Sequence, residues 1–133
     1  MIDKIVEKAL TFKGVPYKKG GNGKEGIDCA GLLTKAFQSG GLNIPSCPEH
    51  QFKIGMPVEL QNLKKGDLLF FEDKNNNPQV SAVGLVTKVS KDKESVLFVY
   101  ANPKRGVEVS ELQNPYWKQF SLTAVRPLGY VED

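Results

Sequence analysis

The segment EGIDCAGLLTKAF, residues 25–37, sets a cysteine directly after an aspartate, at the start of an apolar helical pattern. Leu32, Leu33, Ala36 and Phe37 recur at the spacing of one helix face, which predicts a helix starting at Cys29 or Ala30 and ended by Ser39-Gly40-Gly41. Asp28 is then the capping residue, because a carboxylate ahead of the first turn accepts from its unpaired amides. A thiol in that place is stabilised as thiolate by the helix dipole, so Cys29 reads as a nucleophile with a depressed pKa. Gly31 permits close approach of another backbone or of a substrate. The competing reading is a buried structural cysteine. Cys47 fits that second reading better, since it sits between Pro45 and Pro48 with no helix start.

Working outward, residues 1–14 (MIDKIVEKALTFKG) carry Ile2, Ile5, Val6, Ala9 and Leu10 at helical spacing, predicting an amphipathic helix that ends near Lys13-Gly14. YKKGGNGKEG (17–26) reads as a glycine-rich loop, and LNIPSCPEHQFKIG (42–55) as loop with a short helix at most. From residue 58 onward short apolar runs take over: GDLLFFE, VSAVGLVTKV, SVLFVYAN, GVEVSEL and LTAVRPL, parted by turn-rich pieces such as DKNNNP and SKDKES. Helices followed by consecutive strands predict an α+β fold in which N-terminal helices pack on one face of an antiparallel sheet of about five or six strands.

Composition narrows the function classes. With 133 residues, 40% of them hydrophobic, the chain supports one packed domain without metal or disulfide staples. Eighteen basic against 15 acidic residues give a net charge of +3, which suits an anionic partner but lacks the basic-aromatic motifs of a nucleic-acid binder. No run is long enough to span a bilayer. One histidine and two separated cysteines form no metal-ligand cluster, so neither metal nor other cofactor is expected.

Taken in order, the motifs resemble the NlpC/P60 family of papain-like cysteine peptidases of bacterial cell walls. GVPYKKGG (14–21) resembles the family's Tyr-x-x-Gly-Gly loop, and GIDCAGLLTKAF (26–37) its Asp-Cys-Ser-Gly signature, with Ala30 in place of the serine. Ile44-Pro45 followed by QFKIG, LKKGDLLFF, VSAVGLV, FVYANPKRGVEVSEL and AVRPL continue the family order over nearly the whole chain. The resemblance implies hydrolysis of an amide in peptidoglycan stem peptides, commonly between D-glutamate and the following diamino acid. It implies Cys29 as nucleophile and Tyr17 beside the thiol, where simple aromatic packing over the helix is the alternative. Asp28, Ala30, Ser81 and Gln51 fall along the implied substrate cleft.

The pattern breaks at the proton carrier. A thiol mechanism needs a group that takes the thiol proton and returns one to the leaving amine, and imidazole serves because it titrates near neutrality. The family's base stands in a His-Val-Gly motif, which here reads Ala82-Val83-Gly84. By the same resemblance Tyr100 stands at the third catalytic position, where the family carries a second histidine or another polar residue, and Asn102 on the same strand face is a rival for the orienting role. The single histidine, His50, is either a relocated base or an exposed loop residue. Ala82 itself reads as a natural loss of the base or as an inactivating replacement.

These readings predict a cell-wall amidase or endopeptidase impaired by Ala82. The alternative is a non-catalytic module that binds peptidoglycan or a partner with the same cleft. The substrate lies outside the cytoplasm, while residues 1–14 lack the apolar core of a signal peptide. Action in the periplasm or cell wall is therefore expected, by a protein either secreted with a leader since removed or delivered without one as an antibacterial effector, which an immunity protein or inhibitor would meet.

Overall fold

The computed structural model describes residues 1–44, 55–74 and 80–130. Helices α1 (Ile2–Leu10) and α2 (Cys29–Ser39) flank a small hairpin of β1 (Asn22–Gly23) and β2 (Gly26–Ile27). Then follow β3 (Gly55–Val58), β4 (Leu68–Asp73), β5 (Val80–Val89), β6 (Val96–Asn102), β7 (Gly106–Glu111) and β8 (Phe120–Pro127). These six form one antiparallel sheet in the order β3-β8-β4-β5-β6-β7. The α+β architecture and all five expected strand runs are present. No helix among the described residues is long and apolar enough to cross a membrane.

Three local expectations are corrected. The first helix stops at Leu10, because the Thr11 hydroxyl donates to the Lys8 carbonyl at 2.6 Å and tighter turns carry the chain to Gly14. Gly14, at φ +88°, then swings the backbone onto the edge of β7, where its amide donates to the Val107 carbonyl and the Val107 amide to that of Val15, both at 2.9 Å. The glycine-rich stretch contains the β1–β2 hairpin. The sheet begins at Gly55, ahead of residue 58; β3 carries Pro57 and, among the described residues, pairs only with β8, as an edge strand permits.

The sheet buries both faces. Toward the helices, Leu68, Phe70, Val83, Leu85, Val99 and Ala101 pack with Ile5, Ala9, Leu33 and Phe37. On the opposite face Leu69, Phe71, Val86, Phe98 and Tyr100 pack beneath Trp117, which a 3-10 turn over Pro115–Gln119 delivers. The Trp117 ring lies 4.5 Å from that of Phe71, 5.0 Å from Tyr100 and 5.1 Å from Phe98, centroid to centroid. Covered on both sides, β4 reads Leu-Leu-Phe-Phe without alternation, each side chain contributing roughly 1.5–3 kcal/mol by burial. A buried carboxylate, Asp67, closes the turn before β4 and pairs with Arg126 of β8 at 2.8 Å.

Asp28 fixes α2 to the hairpin. Its Oδ1 accepts from the Gly31 amide at 2.7 Å, as a helix cap does, while Oδ2 accepts from the Gly20 amide at 2.8 Å. Gly31 lies directly under the hairpin: a Cβ there would stand 2.2 Å from the Gly21 carbonyl oxygen and 3.1 Å from Asp28 Oδ1. The approach that the glycine permits is thus one of backbone to backbone. Gly31→Ala is expected to push the hairpin off the helix and to cost about 1–3 kcal/mol, read as a lowered urea midpoint. An unchanged midpoint would show that the contact is slack.

Candidate active site

The helix start that Asp28 holds places Cys29 against the mouth of the sheet between β5 and β6. The β5–β6 ladder pairs Leu85 with Val99 and runs on to Val89 with Val96. Carried two residues the other way, the register would set Val83 opposite Ala101, and there the thiol intrudes. Cys29 Sγ donates to the Ala101 carbonyl at 3.3 Å, and the Val83 amide bears on the same sulfur. Cys29 is a free thiol with partial solvent access.

The expected depression of the Cys29 pKa is overturned. Burial pushes the thiol up and outweighs the lowering contacts with Val83 and Ala101, while the nearby Asp28 charge raises it further. A helix start lowers a thiol only where the ion keeps its solvation, and this sulfur is wedged among backbone atoms. Alkylation of Cys29 by iodoacetamide near pH 7 is therefore expected to run slower than that of a free cysteine and to climb steeply above about pH 8.5, where free thiols ionise. Fast labelling at neutral pH would contradict this environment. The neutral buried thiol favours the fold fully below that pH, and the contribution is lost as pH rises through the raised folded value.

A cavity of about 170 Å³ contains Cys29 together with Tyr17, Asp28, Ala30, Ser81, Ala82 and Pro103. The structure thus gathers most of the residues singled out in the sequence. Tyr17 is held by the pairing of its flanks with β2: the Lys18 amide donates to the Ile27 carbonyl and the Ile27 amide to that of Pro16. Burial, with the Cys29 and Asp28 charges, raises its pKa, so the phenol keeps its proton beside the sulfur. Asp28 is committed through both oxygens to Gly31 and Gly20 and shapes the cavity by holding its walls. Ser81 lies at a bulge between β4 and β5 and donates to Asp73 at 2.7 Å. His50, Gln51 and Cys47 lie outside the described residues.

Tyr100 and Asn102 share one face of β6, as alternation requires, and line a second cavity of about 410 Å³ with Ser81, Ala82 and Pro103. Asn102 Nδ2 donates to the Tyr100 hydroxyl at 3.0 Å, while its Oδ1 accepts from the Lys104 and Arg105 amides at 2.8 and 3.2 Å. Its oxygen is thus taken by the turn, and Asn102 acts on Tyr100. Burial raises the Tyr100 pKa. The sequence reading missed Pro103, which borders both cavities, and the aromatic wall of Tyr116 and Trp117. The Asn-Pro turn signal after β6 pointed to the former; a lone tryptophan in a non-periodic segment gave no comparable signal.

Comparison with known proteins agrees with this geometry. The pattern of the NlpC/P60 family matches residues 14–126. The murein DD-endopeptidase MepS/murein LD-carboxypeptidase of Escherichia coli (strain K12) is 32% identical over 95% of this chain, which spans 63% of that protein. The gamma-D-glutamyl-L-lysine dipeptidyl-peptidase of Bacillus subtilis (strain 168) is 32% identical over 92% of this chain, which spans 39% of it. An NlpC/P60 family protein from Bacillus cereus ATCC 10987 superimposes with a TM-score of 0.82 at 27% identity, covering 96% of this chain and 40% of that structure. With the thiol at its helix start, the tyrosine loop and the strand order all in place, the chain belongs to the NlpC/P60 family.

Proposed function

We propose that this cleft binds peptidoglycan stem peptides and is built to cleave an amide in them, the D-glutamyl–diamino acid bond foremost. The observation that carries the reading is the Cys29 thiol at the start of α2, in one cavity with Tyr17 and the strand position Ala82. In the reaction the sulfur attacks the scissile carbonyl, the C–N bond breaks as the amine takes a proton, and water then hydrolyses the thioester to the acid and the free thiol. The Cys29 amide, first of the helix, is the expected donor to the oxyanion. Tyr17 contributes a protonated phenol beside the reacting atoms.

Cleavage by the chain as it stands is impaired, because alanine at position 82 carries no proton and burial keeps the thiol neutral. The non-catalytic reading draws on those same two observations. Digestion of purified peptidoglycan by the chain and by its Ala82→His variant separates the two. Release of peptides by the variant supports the hydrolase, and binding without release supports the module. The finer reading is an antibacterial effector that acts in the cell wall and is met by an immunity protein; co-purification with such a partner tests it.

A further inference from the structure

The two cavities meet. Ser81, Ala82 and Pro103 line both, so the small side chain at position 82 forms the saddle of one groove that leads from Cys29 to the aromatic wall. Past the saddle the chamber is floored by Tyr100 and Trp117 and walled by Tyr116, which is 56% exposed. Its rim carries Lys104 and Arg105, and no carboxylate lines it among the described residues. Arg105 is already paired with Glu108 through Nε at 2.6 Å and Nη2 at 3.2 Å, which leaves Lys104 as the charge best placed to meet a ligand.

The chemistry of the cleft assigns a direction to this groove. The proton carrier of a thiol hydrolase hands its proton to the leaving amine, so the leaving segment lies beside the base position. Here that position is the saddle, and a segment leaving past it enters the aromatic chamber. We infer that the chamber is the subsite for the amine side of the scissile bond, and that it selects stem peptides whose leaving segment ends in a free carboxylate, met by Lys104 at the rim. The inference rests on the proposed stem-peptide reading and adds to it the end of the peptide that is recognised. Tyr116 supplies the apolar contact for the body of the segment, and the lysine reads its charge.

The test uses the chain as it stands, for which the proposed reading expects binding with little turnover. L-Ala-γ-D-Glu-L-Lys-D-Ala is titrated calorimetrically as the free acid and as the C-terminal carboxamide, against the wild-type chain, Lys104→Gln and Tyr116→Ala. Both substitutions fall on exposed side chains; because the Tyr116 ring packs edge-on against Trp117 at 4.9 Å, an unchanged thermal midpoint of Tyr116→Ala is checked alongside. The acid is expected to bind about five- to tenfold tighter than the amide, between the effect of an exposed ion pair and that of a hydrogen bond to a charged group. Lys104→Gln should abolish that preference, whereas Tyr116→Ala should weaken both peptides alike. Equal binding of acid and amide by the wild-type chain overturns the subsite and leaves the stem-peptide reading standing. Binding of neither peptide overturns both. A preference that survives Lys104→Gln overturns the role of the lysine.

Discussion

Ala82→His is expected to raise the cleavage of purified peptidoglycan by on the order of a thousandfold or more, the scale on which single members of a catalytic set act. Position 82 borders both cavities and is half-buried, so an imidazole there fills open groove and displaces no core side chain. It would stand between the thiol cavity and the Tyr100 hydroxyl. A base in that place takes the thiol proton and pays the desolvation of the thiolate with an adjacent imidazolium, reversing the balance that burial sets at Cys29. Activity should rise with pH through the imidazole range near 6.5. Within the Ala82→His background, Cys29→Ser should remove the gain, and Tyr100→Phe should reduce it by deleting the hydroxyl that orients the ring. Tight binding of stem peptides by an inert Ala82→His variant would sink the hydrolase reading.

The largest expected effect on stability lies far from the thiol. Asp67 is 1% exposed; its Oδ1 accepts from Arg126 Nε at 2.8 Å and its Oδ2 from Arg126 Nη2 at 2.9 Å and from the Lys64 amide at 2.8 Å. Its carbonyl also accepts from the Val86 amide at 2.9 Å, joining the turn to β5. Removing the buried carboxylate takes an acceptor from the Lys64 amide and leaves Arg126, whose side chain is 36% exposed, partly to water, so Asp67→Ala should cost roughly 2–4 kcal/mol, below the figure for a fully buried pair. Arg126 also donates to the Asn62 carbonyl at 3.1 Å, so the loss spreads to the 3-10 turn at Leu60–Asn62. A thermal midpoint lowered by about ten degrees or more is the expected readout. Joint replacement of Asp67 and Arg126 by apolar residues should recover part of it, since no buried charge then remains. A loss below about 1 kcal/mol would mean that solvent already screens the pair.

Much of this was legible because period and caps are local. The Leu32, Leu33, Ala36, Phe37 stripe and the Asp28 cap locate α2, and five apolar runs locate five strands. The edge strand at Gly55–Val58 escaped because four residues with a proline carry no usable alternation. The thiol shows the other limit. Placement at a helix start is a sequence property, but its pKa depends on where Val83 and Ala101 sit, 54 and 72 residues away along the chain. Asn102 likewise shares a face with Tyr100 by simple alternation, but the acceptance of its oxygen from the Lys104 and Arg105 amides depends on the turn that follows, which alternation does not describe.

The position of β8 also bears on how the molecule is made. It lies between β3 and β4, although the ribosome produces it after every other strand. At roughly 5–20 residues per second, several seconds separate β4 from the arrival of its neighbour. Throughout that interval the nascent Leu-Leu-Phe-Phe edge stands open on one side, with hydrogen-bonding groups unpaired and apolar side chains uncovered. Pairing across such a separation also closes late and slowly. The hazard for this chain in synthesis thus concentrates in one strand, and a chaperone that shields β4 until Phe120–Pro127 emerges would act where the need is greatest.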